Sequence, residues 1–231
     1  TYAPIHTEIY ETFKRFCDDR PDTPVSLAAY DYLKVRGFTD YTIRSFGIFT
    51  LKDYHEASYF LRSEFAMADL RESGLYNERD NLVFYKHLIL IPYYQGGRIV
   101  FLQGRVVGSP LDRTPRYQFL SGVPIPLYNS DILPKLRSGQ TLYLTEGAFD
   151  CMTLVQQGLA AVSLGSVTLF KNEWAKLFRR FDVCLWLDND PAGQQASKML
   201  KKLFLEAGIS ASVRDPKEGF KDINDYFRSR D

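Results

Sequence analysis

LYLTEGAFD (142–150) and CLWLDNDPAG (184–193) decide how this chain folds. In each, an apolar run stops abruptly at carboxylates and then meets a glycine. Between them, GAFDCMTLVQQG (147–158) reads as a helix closed by Gly158, and AAVSL (160–164) as a strand. TLFKNEWAKLFRRF (168–181) reads as one amphipathic helix, with Leu169, Trp174, Leu177 and Phe181 at helical spacing. Beyond them, PAGQQASKMLKKLFLEAG (191–208) is a helix stopped at Gly208, and SASV (210–213) is a last strand. Uniformly apolar strands alternating with helices predict an α/β fold whose parallel sheet is covered on both faces.

Such a sheet gathers ligands beyond the carboxyl ends of its strands. Glu146 ends one strand and Asp188 ends another. Asp190, two residues on, points the same way as Asp188 in extended backbone. Gly147 and Gly193 let the chain turn sharply into the next helix. Three carboxylates on one edge repel unless a proton or a cation neutralises them. A hard divalent cation with oxygen ligands does so, held by one or two carboxylates, waters and substrate phosphates. That donor set points to phosphoryl-transfer chemistry. An aspartate after a strand is also a common helix N-cap, so any one of these acids has a purely structural reading beside the metal one.

Upstream the pattern changes. HLILIPYY (87–94) and RIVFLQGRVV (98–107) flank Gln95-Gly96-Gly97 as a β-hairpin. Helical segments around SLAAYDYLKVRG (26–37) and DYHEASYFLRSEF (53–65) precede it. This is a smaller α+β lobe. Pro124–Gln140, with three prolines and little periodicity, reads as the connection. The expected domains are therefore a helical leader at 1–25, a basic α+β lobe at 26–137 and the α/β domain at 138–231.

Composition narrows the class. The chain has 231 residues, 45% hydrophobic and 25% charged, with a net charge of +1, as an ordinary globular protein has. Any nucleic-acid surface must then be local. One candidate stretch lies at 98–137, where Arg98, Arg105, Arg113, Arg116, Lys135 and Arg137 outnumber Asp112 and Asp131. Guanidinium groups there suit phosphates. Tyr94, Tyr117 and Phe119 offer rings for base stacking, although strand aromatics more often pack. Cys17, Cys151 and Cys184 form neither a disulfide framework nor a zinc spacing, which suits a reducing cytoplasm. No apolar run nears the roughly 18 residues that span a membrane. A start at Thr1 fits a piece of something longer.

TEGAFD, SLGS (163–166) and LDNDPAG resemble the Toprim domain of bacterial primases, topoisomerases and some nucleases. YDYLKVRGFTDYTIRSFGI (30–48), the hairpin ending in Gly104-Arg105, and PRYQFLSG (115–122) resemble the catalytic core of the DnaG-type primases. The resemblance covers roughly 26–231. It implies a Mg²⁺ or Mn²⁺ site at Glu146, Asp188 and Asp190, with no zinc in this chain. It implies that Arg36, Arg105 and Arg116 line the path of template and nucleotide. KDINDYF (221–227) resembles the ending of phage-type primase–helicases, with asparagine where bacterial primases carry a second acid. Asp222 is then a further metal contact, and Lys221 a nucleotide contact. Asp150 either orients a ligand or caps its helix, and Asp225 is open to a solvent-facing role.

The implied activity is template-directed synthesis of short RNA primers on single-stranded DNA. The implied partners are the template, NTPs, and a replicative helicase and zinc-binding module outside this chain, with no membrane. A Toprim nuclease would use the same acids on DNA. A non-catalytic DNA-binding Toprim protein would not need the complete acid set.

Overall fold

The computed structural model describes residues 2–110, 113–214, 220 and 222–229. Two compact units divide the chain: Thr1–Val35 with Thr39–Pro124, and Arg36–Phe38 with Ile125–Asp231. The first is not the smaller of the two. The division falls after Pro124, where the sequence reading placed it after residue 137.

The first unit begins with α1 (Pro4–Asp19). Ile9, Tyr10, Phe13, Phe16 and Cys17 form its buried stripe, so α1 belongs to this unit's core rather than to a separate leader. Phe13 meets Phe49 edge-to-face at 5.8 Å. Then come α2 (Pro24–Val35), α3 (Asp40–Ser45), β1 (Phe49–Thr50), α4 (Tyr54–Glu64) and α5 (Met67–Glu72). Thr39 caps α3 and Asp53 caps α4, each accepting a main-chain N–H three residues on. β2 (Ile89–Gln95), β3 (Arg98–Arg105) and β4 (Tyr117–Phe119) complete an antiparallel sheet in the order β1-β2-β3-β4. Gly96 and Gly97 take φ of +59° and +77°, as a two-residue hairpin turn requires.

The second unit carries a parallel sheet in the order β6-β5-β7-β8. Its elements are β5 (Thr141–Thr145), α6 (Ala148–Gln156), β6 (Ala161–Ser163), α7 (Ala175–Phe178), β7 (Asp182–Leu185), α8 (Pro191–Glu206), β8 (Ala211–Val213) and α9 (Ile223–Arg228). The alternation expected from the sequence is present, and the core is built from Leu142, Leu144, Val162, Val183, Leu185 and Phe204.

Two expectations change. The amphipathic helix at 168–181 is instead two 3-10 turns, Val167–Leu169 and Asn172–Trp174, followed by the short α7. Phe170 leaves the helical region (ψ 127°) and packs its ring edge-on against Trp174 and Phe204. Packing of one aromatic overrides the local helical preference, and Leu177 is left exposed. The stretch 124–140 is likewise more than a connection. The Tyr128 main chain pairs with Ser163 in both directions (2.9 and 3.2 Å), and Leu127 and Leu133 enter the core. Among the described residues no helix is long and apolar enough to cross a membrane.

Candidate active site

The parallel pairing sets Leu144 opposite Leu185. Glu146 and Asp188 therefore leave the sheet at the same carboxyl edge. The SLGS turn braces that edge. The Ser163 hydroxyl donates to the Glu146 carbonyl at 2.7 Å and accepts from Gly165 N at 3.1 Å. The Thr145 hydroxyl reaches the Val162 and Gly147 carbonyls. Glu146 and Asp188 are both half-buried.

Asp190 is the N-cap of α8: its Oδ1 accepts from Gly193 N at 2.8 Å. The cap uses that oxygen alone, so the structural and ligand readings of Asp190 do not compete. Gly193 is needed for space rather than for an unusual dihedral. A Cβ there would lie 2.2 Å from the Asp188 carbonyl oxygen and 3.2 Å from its nitrogen. Gly193→Ala is expected to push α8 away from Asp188 and to cost about 1–3 kcal/mol, read from urea unfolding. Unchanged stability would show that the first turn of α8 yields easily. Gly147 is the N-cap residue of α6, without a side-chain cap.

The deepest acid is one that spacing alone left open. Asp150, on the first turn of α6, is 8% exposed. It does not cap its own helix; its Oδ1 accepts from Asn224 N at the start of α9, 3.1 Å away. Burial first, then the charges of Asp222 and Asp188, hold its carboxyl well above the usual carboxylate range; Arg36 opposes them. Asp222 caps α9, accepting from Asp225 N at 2.8 Å. Acids from three separated segments thus share one field.

Arg36 sits with these acids. Its Nη1 lies 3.5 Å from Asp225 Oδ1, and Arg228 approaches the same carboxylate at 3.6 Å. Asp225 is therefore ion-paired rather than merely solvent-facing. The buried Asn224 amide donates to the Arg36 carbonyl (2.9 Å) and to Thr153 Oγ1 (2.8 Å). It holds α9 on α6. The asparagine in the KDIND segment was the one local signal for this bracket.

Arg105 is 3% exposed. Its Nε donates to the Tyr117 hydroxyl at 3.1 Å, its Nη1 to Val106 O at 3.0 Å, and Tyr32 and Tyr117 face its guanidinium. Within its unit it does not present its charge to solvent, whereas Arg116 is exposed. Lys221 lies outside the described residues. Of the aromatic candidates, Tyr94 is partly enclosed, burial pushing its hydroxyl up to about 12. Phe119 leans on Phe101, and Tyr117 on Arg105.

Among the described residues no group of three or more His, Cys, Asp or Glu side chains is gathered closely enough to hold a metal ion as it stands. The donors at this edge are all oxygens. Mg²⁺ typically takes only one or two carboxylates and completes its shell with water and substrate phosphates. Asp150, held above its ordinary range first by burial and then by Asp222 and Asp188, lies in a field that a cation would relieve in part. The edge fits a hard, partly hydrated cation.

Residues 143–227 match the Toprim-like family. A curated relative, the DNA primase of Clostridium acetobutylicum, is 27% identical over 214 residues, 87% of this chain. The chain spans 35% of that relative's length. The Aquifex aeolicus primase structure (zinc-binding and RNA polymerase domains) superposes with a TM-score of 0.79 at 20% identity, over 97% of this chain and 58% of that one. A DnaG primase catalytic domain bound to single-stranded DNA gives 0.76 at 21% identity, over 95% and 75%. The chain carries a Toprim-like domain at 143–227 and has the fold of the DnaG primase catalytic core.

Proposed function

We propose that this chain is the catalytic core of a cytoplasmic DNA primase, joining ribonucleotides on a single-stranded DNA template. The observation that carries the reading is the convergence of acids at one carboxyl edge of the parallel sheet, where the pairing of Leu144 with Leu185 brings out Glu146 and Asp188 together and Asp190 caps α8 beside them. The relatives support the choice of reaction: the C. acetobutylicum protein is named a DNA primase, and one fold neighbour was solved with single-stranded DNA.

Glu146, Asp188 and Asp190 would hold Mg²⁺ or Mn²⁺, with Asp222 as a further contact. When bound, the ion supplies charge neutralisation at phosphate oxygens and lowers the pKa of an attacking hydroxyl. The chain does the rest. Arg116 binds phosphate at the surface of the first unit. Asp190 keeps one carboxylate oxygen on its cap and offers the other. Asn224 and Arg36 fix α9, and with it Asp222, against α6. Arg105 serves by holding Tyr32 and Tyr117 in place, and any contact of Arg36 with nucleotide is made beside the acids it balances. The NTPs, a replicative helicase and a zinc-binding module in another part of the protein complete the set of partners.

The test is template-dependent dinucleotide and primer synthesis by the wild-type chain, using mixed-sequence single-stranded DNA, labelled NTPs and Mg²⁺ or Mn²⁺. Products that appear with the ion and vanish with chelator are expected. Metal-dependent degradation of the DNA, without products, would make the chain a nuclease instead.

A further inference from the structure

The first unit carries a groove that the acidic edge does not use. It holds about 560 Å³ and is lined by Tyr54, Asn77, Asn81, Tyr85, Gln118 and Ser121 over a floor of Leu82 and Val83. Among the described residues no charged side chain lines it. Deepening the primase reading, on which it rests, we propose that this groove receives an unpaired base of the template strand.

The chemistry favours a nucleobase. Tyr85 is 62% exposed, far more than a packing tyrosine needs to be. Tyr54 stands nearly perpendicular to it, ring centres 5.1 Å apart, and is itself pinned by its hydroxyl to Leu82 O at 3.1 Å. The ring of Tyr85 is thereby held in orientation while much of its surface stays open. Stacking on such a ring is tolerant of sequence because every base has a π-face. Around it, the side-chain amide of Asn81 and the hydroxyl of Ser121 make no hydrogen bond to other described residues, and they supply donors and acceptors for a base edge. A neutral wall with an open ring suits a neutral planar ligand and offers no counter-charge to a phosphate.

The groove is also preformed. Asn77 Oδ1 accepts from Arg79 N (2.9 Å) and Asn81 N (3.1 Å), closing the 77–81 loop on itself. Tyr76 bridges Leu82 in antiparallel fashion, and Val83 N donates to Leu75 O at 2.9 Å. On the other side the chain at Ser121 approaches Gly74 so closely that a Cβ there would lie 2.6 Å from Ser121 O. Cationic side chains, Lys86 and Arg116, are exposed near the neutral wall. Lys86 follows Tyr85 and reaches Thr114 Oγ1 at 3.2 Å. Arg116 shares the alternation of Gln118 along the chain entering β4. A base in the groove would have cations for the phosphates on either side of it.

The test is binding of a short oligodeoxythymidylate across a salt series, by wild type, Tyr85→Ala, Tyr85→Trp and Arg116→Ala. Tyr85→Ala is expected to weaken binding about tenfold with the salt slope unchanged, because stacking releases no counterions. Arg116→Ala should lower the slope by about one. Tyr85→Trp should keep its affinity, and the strand should quench its emission while an abasic strand does not. Wild-type affinity in Tyr85→Ala, or emission quenched by free NTP but not by the strand, overturns the subsite and leaves the primase reading standing. A wild-type chain that does not bind the strand overturns both.

Discussion

Replacing Asp190 by asparagine is expected to lower primer synthesis by roughly 10²–10³-fold, the loss typical of removing one electrostatic stabiliser, while the melting temperature stays where it is. The residue has two duties, and they use different atoms. Oδ1 accepts from Gly193 N and starts α8. The negative charge and the second oxygen are what a cation at the sheet edge takes up. Asparagine caps about as well as aspartate and keeps an acceptor on Gly193 N, but it carries no charge. Asp190→Ala loses both and should cost a further ~1 kcal/mol of stability. Asp188→Asn should lose activity to the same extent. Full activity in Asp190→Asn, measured beside its thermal melt, would reduce Asp190 to the helix cap that aspartate after a strand so often is.

Much of this architecture was legible because it is written locally. Gly96-Gly97 between two apolar alternations gave the hairpin, and both residues have the positive φ that the turn demands. The EG and DND pairs at the ends of apolar runs gave the parallel sheet and the edge where its acids emerge. What escaped is set by distance. Arg36 is 189 positions from Asp225 in sequence, so no window could bring it to the acids. Arg105 is expected on the template path by resemblance alone; that two tyrosines from separate segments enclose it is not written in its own strand. The break at Phe170 has the same origin, since its partner Phe204 comes from another helix. The base groove was invisible for a further reason. The rings at 94, 117 and 119 lie in strands and pack there, while Tyr85 lies in a turn with no periodicity to mark it.

Asp150 offers a test of the acidic edge that does not depend on turnover. Its native pKa lies well above the ordinary aspartate value, raised by burial and then by Asp222 and Asp188. The native state therefore keeps a proton that the unfolded chain has already released. Stability linked to this group is fully present below the unfolded pKa and is lost as pH rises through the native one. Asp150→Asn removes the titration yet leaves an oxygen to accept from Asn224 N, 3.1 Å from Oδ1 in the wild type. In metal-free protein the variant should gain about 1–3 kcal/mol, the scale of relieving one poorly compensated buried polar group, at pH above the native pKa. It should gain nothing near pH 3. A divalent cation acts on the same group with opposite sign, because it favours the carboxylate. Mg²⁺ or Mn²⁺ should raise the wild-type melting temperature most at high pH, and raise that of Asp150→Asn less. Urea unfolding at several pH values, with and without the ion, reads both effects. A difference between the two proteins that is independent of pH would mean that Asp150 is not the proton-holding member of this edge, and that the strain of its acids is relieved within the fold rather than by a cation.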